Sequence, residues 1–189
     1  MTKLSFLLVT LPAALLAQGS APAQTSPAPA NPISSSTSKI YTLLSGVVIA
    51  AAEKMPEENY SFKPTPEVRS FGQLVGHLAD AQYFFCSTAG GEKPPSGPGA
   101  EKSKTAKTDL IAALKEAVAY CSKVYTGMND AKGAEMTKFM NFDMARLTVL
   151  SANTAHDYEH YGNMVTYMRL KGIVPPTSEK TEKAPSAEK

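Results

Sequence analysis

The sequence predicts an all-α protein, a four-helix bundle with long connections, on three observations. Apolar residues recur at helical spacing in four long stretches, glycine and proline cluster between them, and no segment alternates apolar and polar residues over a strand's length. The first helix is expected from about Ser36 to Met55, where Ile40, Leu43, Leu44, Val47 and Ala51 share a face and Pro56 follows the end. A proline-punctuated link from Tyr60 to Pro66 carries aromatic residues suited to covering one end of a bundle. Ser70, with Gln73 three residues on, gives a capping-box pattern for a second helix whose apolar face continues to Cys86. The Gly- and Pro-rich passage from Ala89 to Ala100 is expected to be non-helical. A third helix is expected from Lys104 to Tyr125, with Leu110, Leu114, Ala117, Cys121 and Val124 facing inward, and a fourth from Asp143 to Lys171, stopped by Gly172 and Pro175-Pro176.

The two ends read differently. Residues 1–23 have the form of a secretory signal peptide: Lys3 gives the positive start, Leu4 to Ala17 the apolar run, and Ala21-Pro22-Ala23 small residues for cleavage near Ala23. The protein is therefore expected to be exported, periplasmic or secreted. The run is short and interrupted by Pro12, so the mature form is expected to have no stable membrane span. Residues 24–36 read as a disordered Pro/Ser/Ala-rich linker and residues 177–189 as a disordered charged tail, leaving one domain at residues 37–176. Of the 189 residues, 19 are Lys or Arg and 17 Asp or Glu; loss of Lys3 leaves 18 and 17, interspersed along the chain. That balance has no basic stripe for a phosphate backbone and argues against a nucleic-acid partner.

The chain has three histidines, His77 in the second helix and His156 and His160 in the fourth. Two imidazoles at i, i+4 project from one side of a helix, and neutral imidazole is the commonest side-chain ligand for zinc and similar ions. His77 is in register with Leu74, Ala81 and Phe84, and the pair continues the line of Val149, Asn153, Met164 and Tyr167. All three are thus expected to face the core. Three buried imidazoles converging without partners are costly, so they are read as ligands of one divalent metal; separate histidines, each satisfied by hydrogen bonds, are the alternative. At 1.5 Å per residue His77 lies roughly 10 Å into its helix, which places the expected site inside the core. Asp80, one turn after His77, is a candidate to orient its ring, with a solvated carboxylate as the plainer reading.

Cys86 and Cys121 are the two cysteines, and an oxidising destination makes them candidates for a disulfide, with two buried thiols as the alternative. Each lies about 25 Å along its helix, so they are level only if the second and third helices run parallel. The long connection between those helices permits that return.

Several segments together resemble the DinB-like superfamily of metal-binding four-helix bundles: Met55-Pro56-Glu57-Glu58-Asn59-Tyr60, Phe62 to Phe71, His77, His156-Asp157-Tyr158-Glu159-His160-Tyr161-Gly162 and Tyr167 to Gly172. The resemblance implies an up-down-down-up bundle and a metal triad of His77, His156 and His160. It also implies metal-dependent chemistry with low-molecular-weight thiols, of the S-transferase or isomerase kind, and is compatible with a homodimer; hydrolysis is suggested separately, by water that could ionise near neutrality on an open position of the metal. Expected export removes the usual intracellular thiols, which leaves a metal-dependent hydrolase or transferase on an unknown small-molecule substrate, or a non-enzymic metal-binding module. Three histidines leave coordination positions open, as in catalytic zinc sites, and do not choose among zinc, nickel, iron and manganese.

Two further patterns point elsewhere. His156 to His160 approaches the H-E-x-x-H protease signature, but Asp157 replaces the glutamate with a shorter carboxylate and no third carboxylate ligand follows; Asp157 and Glu159 are expected on the flanks or in solvent. Met136, Met140 and Met144 recur at helical spacing, which reads as core packing, with copper(I) binding by thioethers as the alternative.

Overall fold

The structure, a computed structural model, describes residues 30–179; the expected signal peptide, residues 24–29 of the linker and residues 180–189 of the tail lie outside the described residues. Four long helices, α1 (Pro32–Lys54), α2 (Phe71–Gly90), α4 (Lys107–Thr126) and α6 (Arg146–Leu170), make the bundle. Between them lie the short helices α3 (Ala100–Ser103) and α5 (Asp130–Ala134) and a hairpin of β1 (Met136–Phe139) and β2 (Phe142–Ala145).

Helix polarity follows from which ends touch. Gly72 at the start of α2 lies against Leu110 at the start of α4, and Gly90 at the end of α2 against Val124 near the end of α4. These two helices run parallel. Cys86 and Cys121 are joined in a disulfide between them, with Cα atoms 5.3 Å apart. Lys107 at the start of α4 donates to the carbonyls of Glu53 and Met55 at the end of α1, while Tyr41 stacks on Tyr125, so α1 is antiparallel to α4. Arg146 at the start of α6 donates to the carbonyl of Ala89, and Tyr167 near its end to that of Arg69, which makes α6 antiparallel to α2. The bundle is up-down-down-up.

Between the helices, Tyr41, Leu78, Leu114, Leu150, Met164 and Met168 are fully buried, each aliphatic side chain stabilising the fold by about 1.5–3 kcal/mol. The link before α2 closes one end, as its aromatic residues imply. Tyr60 is buried with its hydroxyl on the carbonyl of Ala52, and Phe62 meets Tyr167 edge to face. Ser70 and Gln73 form the reciprocal capping box that the sequence signals, and Gly91, at φ 78°, ends α2 in the left-handed conformation that suits glycine.

Five boundaries differ from the sequence reading. Residues 32–36, expected in a disordered linker, are the first turn of α1. Pro32 starts that turn, Asp130 accepts from the backbone N–H of Ile33 and Ser34, and Asn31 Oδ1 accepts in return from the N–H of Asp130. The partner that satisfies this helix end is 96 residues away, so no local pattern announces it. Thr177 to Glu179, expected in the tail, are likewise held. Thr177 exchanges hydrogen bonds with the Tyr161 hydroxyl, Arg169 donates to Ser178, and Glu179 pairs with Lys54. Helix α2 runs on through Ala89 and Gly90, and Ala100 opens α3, so the passage expected to be non-helical is bounded by helix on both sides. The third helix starts at Lys107, with the extended Lys104 to Ala106 separating it from α3.

The last correction is the hairpin, where a helix-like methionine spacing had suggested packing. Two four-residue strands joined at Met140-Asn141 are too short to show a period, and they are held by Phe139 against Phe84 and Phe85 and by Thr137 donating to the carbonyl of Thr88. The register pairs Met136 with Ala145 and Thr137 with Met144, which puts Met136 and Met144 on opposite faces, with Met140 in the turn. The three thioethers do not share a face. As a result of the hairpin α6 begins at Arg146, three residues after the expected Asp143. Among the described residues no helix is long and apolar enough to cross a membrane.

Candidate metal centre

Antiparallel packing of α2 on α6 sets His77 opposite His156 and His160. Nε2 of His156 lies 3.2 Å from Nε2 of His77 and 3.1 Å from Nε2 of His160, and the three ligand atoms fall within 4.8 Å of one another. Each helix contributes by its period alone: the i, i+4 pair stands on one side of α6, and His77 reaches across from the facing turn of α2. Phe85 packs against the His156 ring at 5.4 Å and forms the apolar side of the cluster.

The surroundings keep these rings neutral. Burial pushes His156 down to about 4, helped by the charge His160 would carry, and pushes His77 and His160 below the ordinary histidine value. Arg69 adds to the depression at His77. Neutral imidazoles have lone pairs to offer, and three of them facing one another cannot all be satisfied by mutual hydrogen bonds. Nδ1 of His156 is buried without a hydrogen-bond partner. A tetrahedral ion held at roughly 2.0–2.1 Å from imidazole nitrogen keeps its ligands about 3.3 Å apart, close to the 3.2 and 3.1 Å that separate His156 from His77 and from His160. The donor set, its neutrality and its spacing therefore fit a divalent metal.

Around the cluster the structure corrects the sequence reading in three places. Asp80 does not touch His77; its two carboxylate oxygens accept from the backbone N–H of Ala100 and Glu101 at the start of α3, 2.6 and 3.1 Å away. The carboxylate beside His77 is Glu101, whose Oε2 is 3.2 Å from Nδ1 and whose Oε1 accepts from Nε of Arg69 at 2.9 Å. Sequence reasoning missed Glu101 because it stands on the connection between two helices, where periodicity carries no information. Asp157, expected toward the flanks, is 1% exposed and accepts from the Gln82 side chain through both oxygens, while Glu159 is exposed as expected. Asp157 thus points away from the histidines and is not placed to serve as a protease base. Asn163 lies 3.3 Å from Nδ1 of His160, where its amide oxygen, turned inward, would accept from an Nδ1–H.

The site is not sealed in the core. A cleft of about 620 Å³ opens beside it, bordered by Arg69, Glu101, Glu159, His160, Asn163 and Tyr167, and the His77 side chain keeps 23% of its surface exposed. This cleft lies between the link that precedes α2 and the second half of α6.

Comparison with known proteins agrees with the fold. The family model for the DinB superfamily matches residues 45–164. Among solved structures, a DinB-like protein from Bacillus cereus is 16% identical with TM-score 0.67, covering 75% of this chain and 95% of its own. Another, from Bacillus subtilis, is 18% identical with TM-score 0.61, covering 77% of this chain and 99% of its own. A mycothiol-dependent maleylpyruvate isomerase is 11% identical with TM-score 0.55, over 71% of this chain and 65% of the isomerase. No curated protein matches. With its family model matched across most of the described bundle, this chain belongs to the DinB superfamily.

Proposed function

We propose that this protein binds one divalent transition metal through Nε2 of His77, His156 and His160 and acts on a small substrate as a metal-dependent hydrolase or transferase, after export directed by residues 1–23. The observation that carries the reading is the convergence of three neutral imidazole nitrogens at 3.1 and 3.2 Å beside an open cleft. When bound, such an ion supplies Lewis acidity and activates water near neutral pH. The protein's own groups do the rest. Burial keeps the ligand nitrogens deprotonated, Phe85 packs its ring against that of His156, and Arg69 and Glu101 border the cleft with fixed charges. The disulfide between Cys86 and Cys121 is consistent with an oxidising destination.

The cleft separates this reading from that of a storage or structural site. A structural site closes its metal with a fourth protein ligand, whereas the three histidines here have no fourth ligand among the described residues and a solvent-connected cleft at hand. The mycothiol-dependent maleylpyruvate isomerase of similar fold lends support to small-molecule chemistry, at a distance of 11% identity. The test begins with elemental analysis of untagged protein against a His160→Ala variant, expecting one metal per chain in the first and almost none in the second. Equal and negligible metal in both would overturn the proposal. Metal-dependent turnover in a screen of esters, amides and electrophiles would then establish the enzyme, and failure across that screen would leave the binding module.

A further inference from the structure

The connection between α2 and α4 is fastened to α2 at three points. At Gly76 the backbone of Glu101 comes so close that a Cβ would sit 2.7 Å from Glu101 Cα and from its backbone nitrogen, so only a glycine lets the two backbones meet there. One turn on, Asp80 takes both exposed N–H groups of Ala100 and Glu101, and Gly99 leaves room for that carboxylate, which lies 2.3–2.7 Å from where a Cβ would stand. The third point is Glu101 itself, bonded to His77 Nδ1 through one oxygen and to Arg69 Nε through the other.

These fastenings have one product. They hold the Glu101 carboxylate in a single place, against the far side of the His77 ring from the other two histidines. We propose that Glu101 is a positioning residue for the metal centre, fixing His77 in the tautomer with hydrogen on Nδ1 and the lone pair of Nε2 aimed at His156 and His160, and that Gly76, Asp80 and Gly99 form the strap that delivers it. An imidazole has one proton to place when neutral, and a carboxylate on Nδ1 decides where it goes. Glu101 is spent on Nδ1 and Arg69, so it leaves the coordination positions facing the cleft open. Arg69, whose Nε fills the second oxygen, keeps the carboxylate from swinging toward an ion.

The metal part of this inference rests on the proposed function, while the tautomer part does not. Long-range proton–nitrogen correlation spectra of uniformly ¹⁵N-labelled, chelator-treated full-length protein read the tautomer directly. In the wild type, His77 is expected as the Nδ1–H form alone. Glu101→Gln, whose single amide oxygen is contested by Nδ1 and Arg69 Nε, is expected to retain that form in part, and Glu101→Ala to give a fuller mixture of tautomers. Asp80→Ala, which frees the strap with Glu101 intact, is expected to fall between them. In titrations with Zn²⁺ or Co²⁺ alone, Glu101→Ala is expected to bind about 10–100-fold more weakly with unchanged stoichiometry, and Glu101→Gln to recover part of the loss. An unaltered His77 tautomer and unaltered affinity in Glu101→Ala would overturn the proposal. If wild type itself takes up no metal, the proposed function fails, and the tautomer spectra still decide the role of Glu101.

Discussion

Two polar clusters share the α2–α6 interface, and the protein treats them in opposite ways. About one and a half turns beyond His77, Gln82 donates to Asp157 and accepts from the Tyr41 hydroxyl and the Asn153 amide, while the Tyr125 hydroxyl binds the carbonyl of Leu150 and the side chain of Thr154. Residues from all four long helices contribute, and every one of those side chains is closed off from solvent. Burial raises the Asp157 carboxyl to about 7, and the Gln82 amide offsets part of that. The histidine cluster, by contrast, has three nitrogens facing one another and a fourth, Nδ1 of His156, with no partner. In the Gln82 cluster every buried polar atom but one, Asn153 Oδ1, has a partner within the protein, whereas the histidine nitrogens meet chiefly one another, the arrangement expected of metal ligands.

Breaking each cluster separately tests that difference. Gln82→Ala strips partners from Asp157, Tyr41 and Asn153 at once, and is expected to cost on the order of 3–5 kcal/mol of unfolding free energy, a large part of a domain's typical stability. Urea unfolding of chelated protein reads this, and metal content of the folded fraction is expected to stay at the wild-type value. His160→Ala is expected to show the reverse: a cost of about 1 kcal/mol or less without metal, with loss of the metal itself. If His160→Ala destabilises the metal-free protein as much as Gln82→Ala does, the histidines are structural and the contrast between the clusters fails.

Metal removal gives the next, smaller effect. Binding that is confined to the folded state adds about 2.7 kcal/mol when free metal is a hundredfold above its dissociation constant. Chelation is therefore expected to lower the melting temperature of wild type, and readdition of metal to restore it. Gln82→Ala should show the same increment from a lower base, because its deficit lies in a different cluster. A metal increment that disappears in Gln82→Ala would mean that the two clusters act as one unit.

What the sequence reveals follows the same division. The bundle was legible because its core residues keep helical register, and the histidine triad was legible because three rare ligands fall on the inward lines of two helices. Asp157 was placed wrongly since its partner Gln82 is far along the chain, and a buried carboxylate looks like a surface one until that partner is known. Asp80 stands as a candidate for the role of Glu101, beside the plainer reading of a solvated carboxylate, for a related reason. One turn of spacing puts Asp80 near His77 in the chain, but the loop that lies over α2 at Gly76 takes the Asp80 carboxylate for its own N–H groups and supplies Glu101 instead. Helical period reports which way a side chain faces, and it is silent on what a connection brings to meet it.

A third polar cluster, at the surface, sharpens the comparison by removing burial from it. Asn31 and Asp130 clamp the start of α1 to α5 through three hydrogen bonds between side-chain oxygens and backbone N–H groups, partnered within the protein like most of the Gln82 cluster but in contact with water. Backbone N–H groups, that of Ser34 foremost, hold the Asp130 carboxyl below the ordinary aspartate value. A carboxyl lowered on folding stabilises the native state above the unfolded value, near 3.8, and that contribution is lost as pH falls through the lowered one. Asp130→Asn is therefore expected to lower the melting temperature slightly at pH 7 and to match wild type at a pH where the wild-type carboxyl is protonated too. Its effect should be the smallest of the series, since water competes for each hydrogen bond and screens the charge. A loss as large as that of Gln82→Ala would show that matched partners, not burial, set the worth of a polar cluster in this fold.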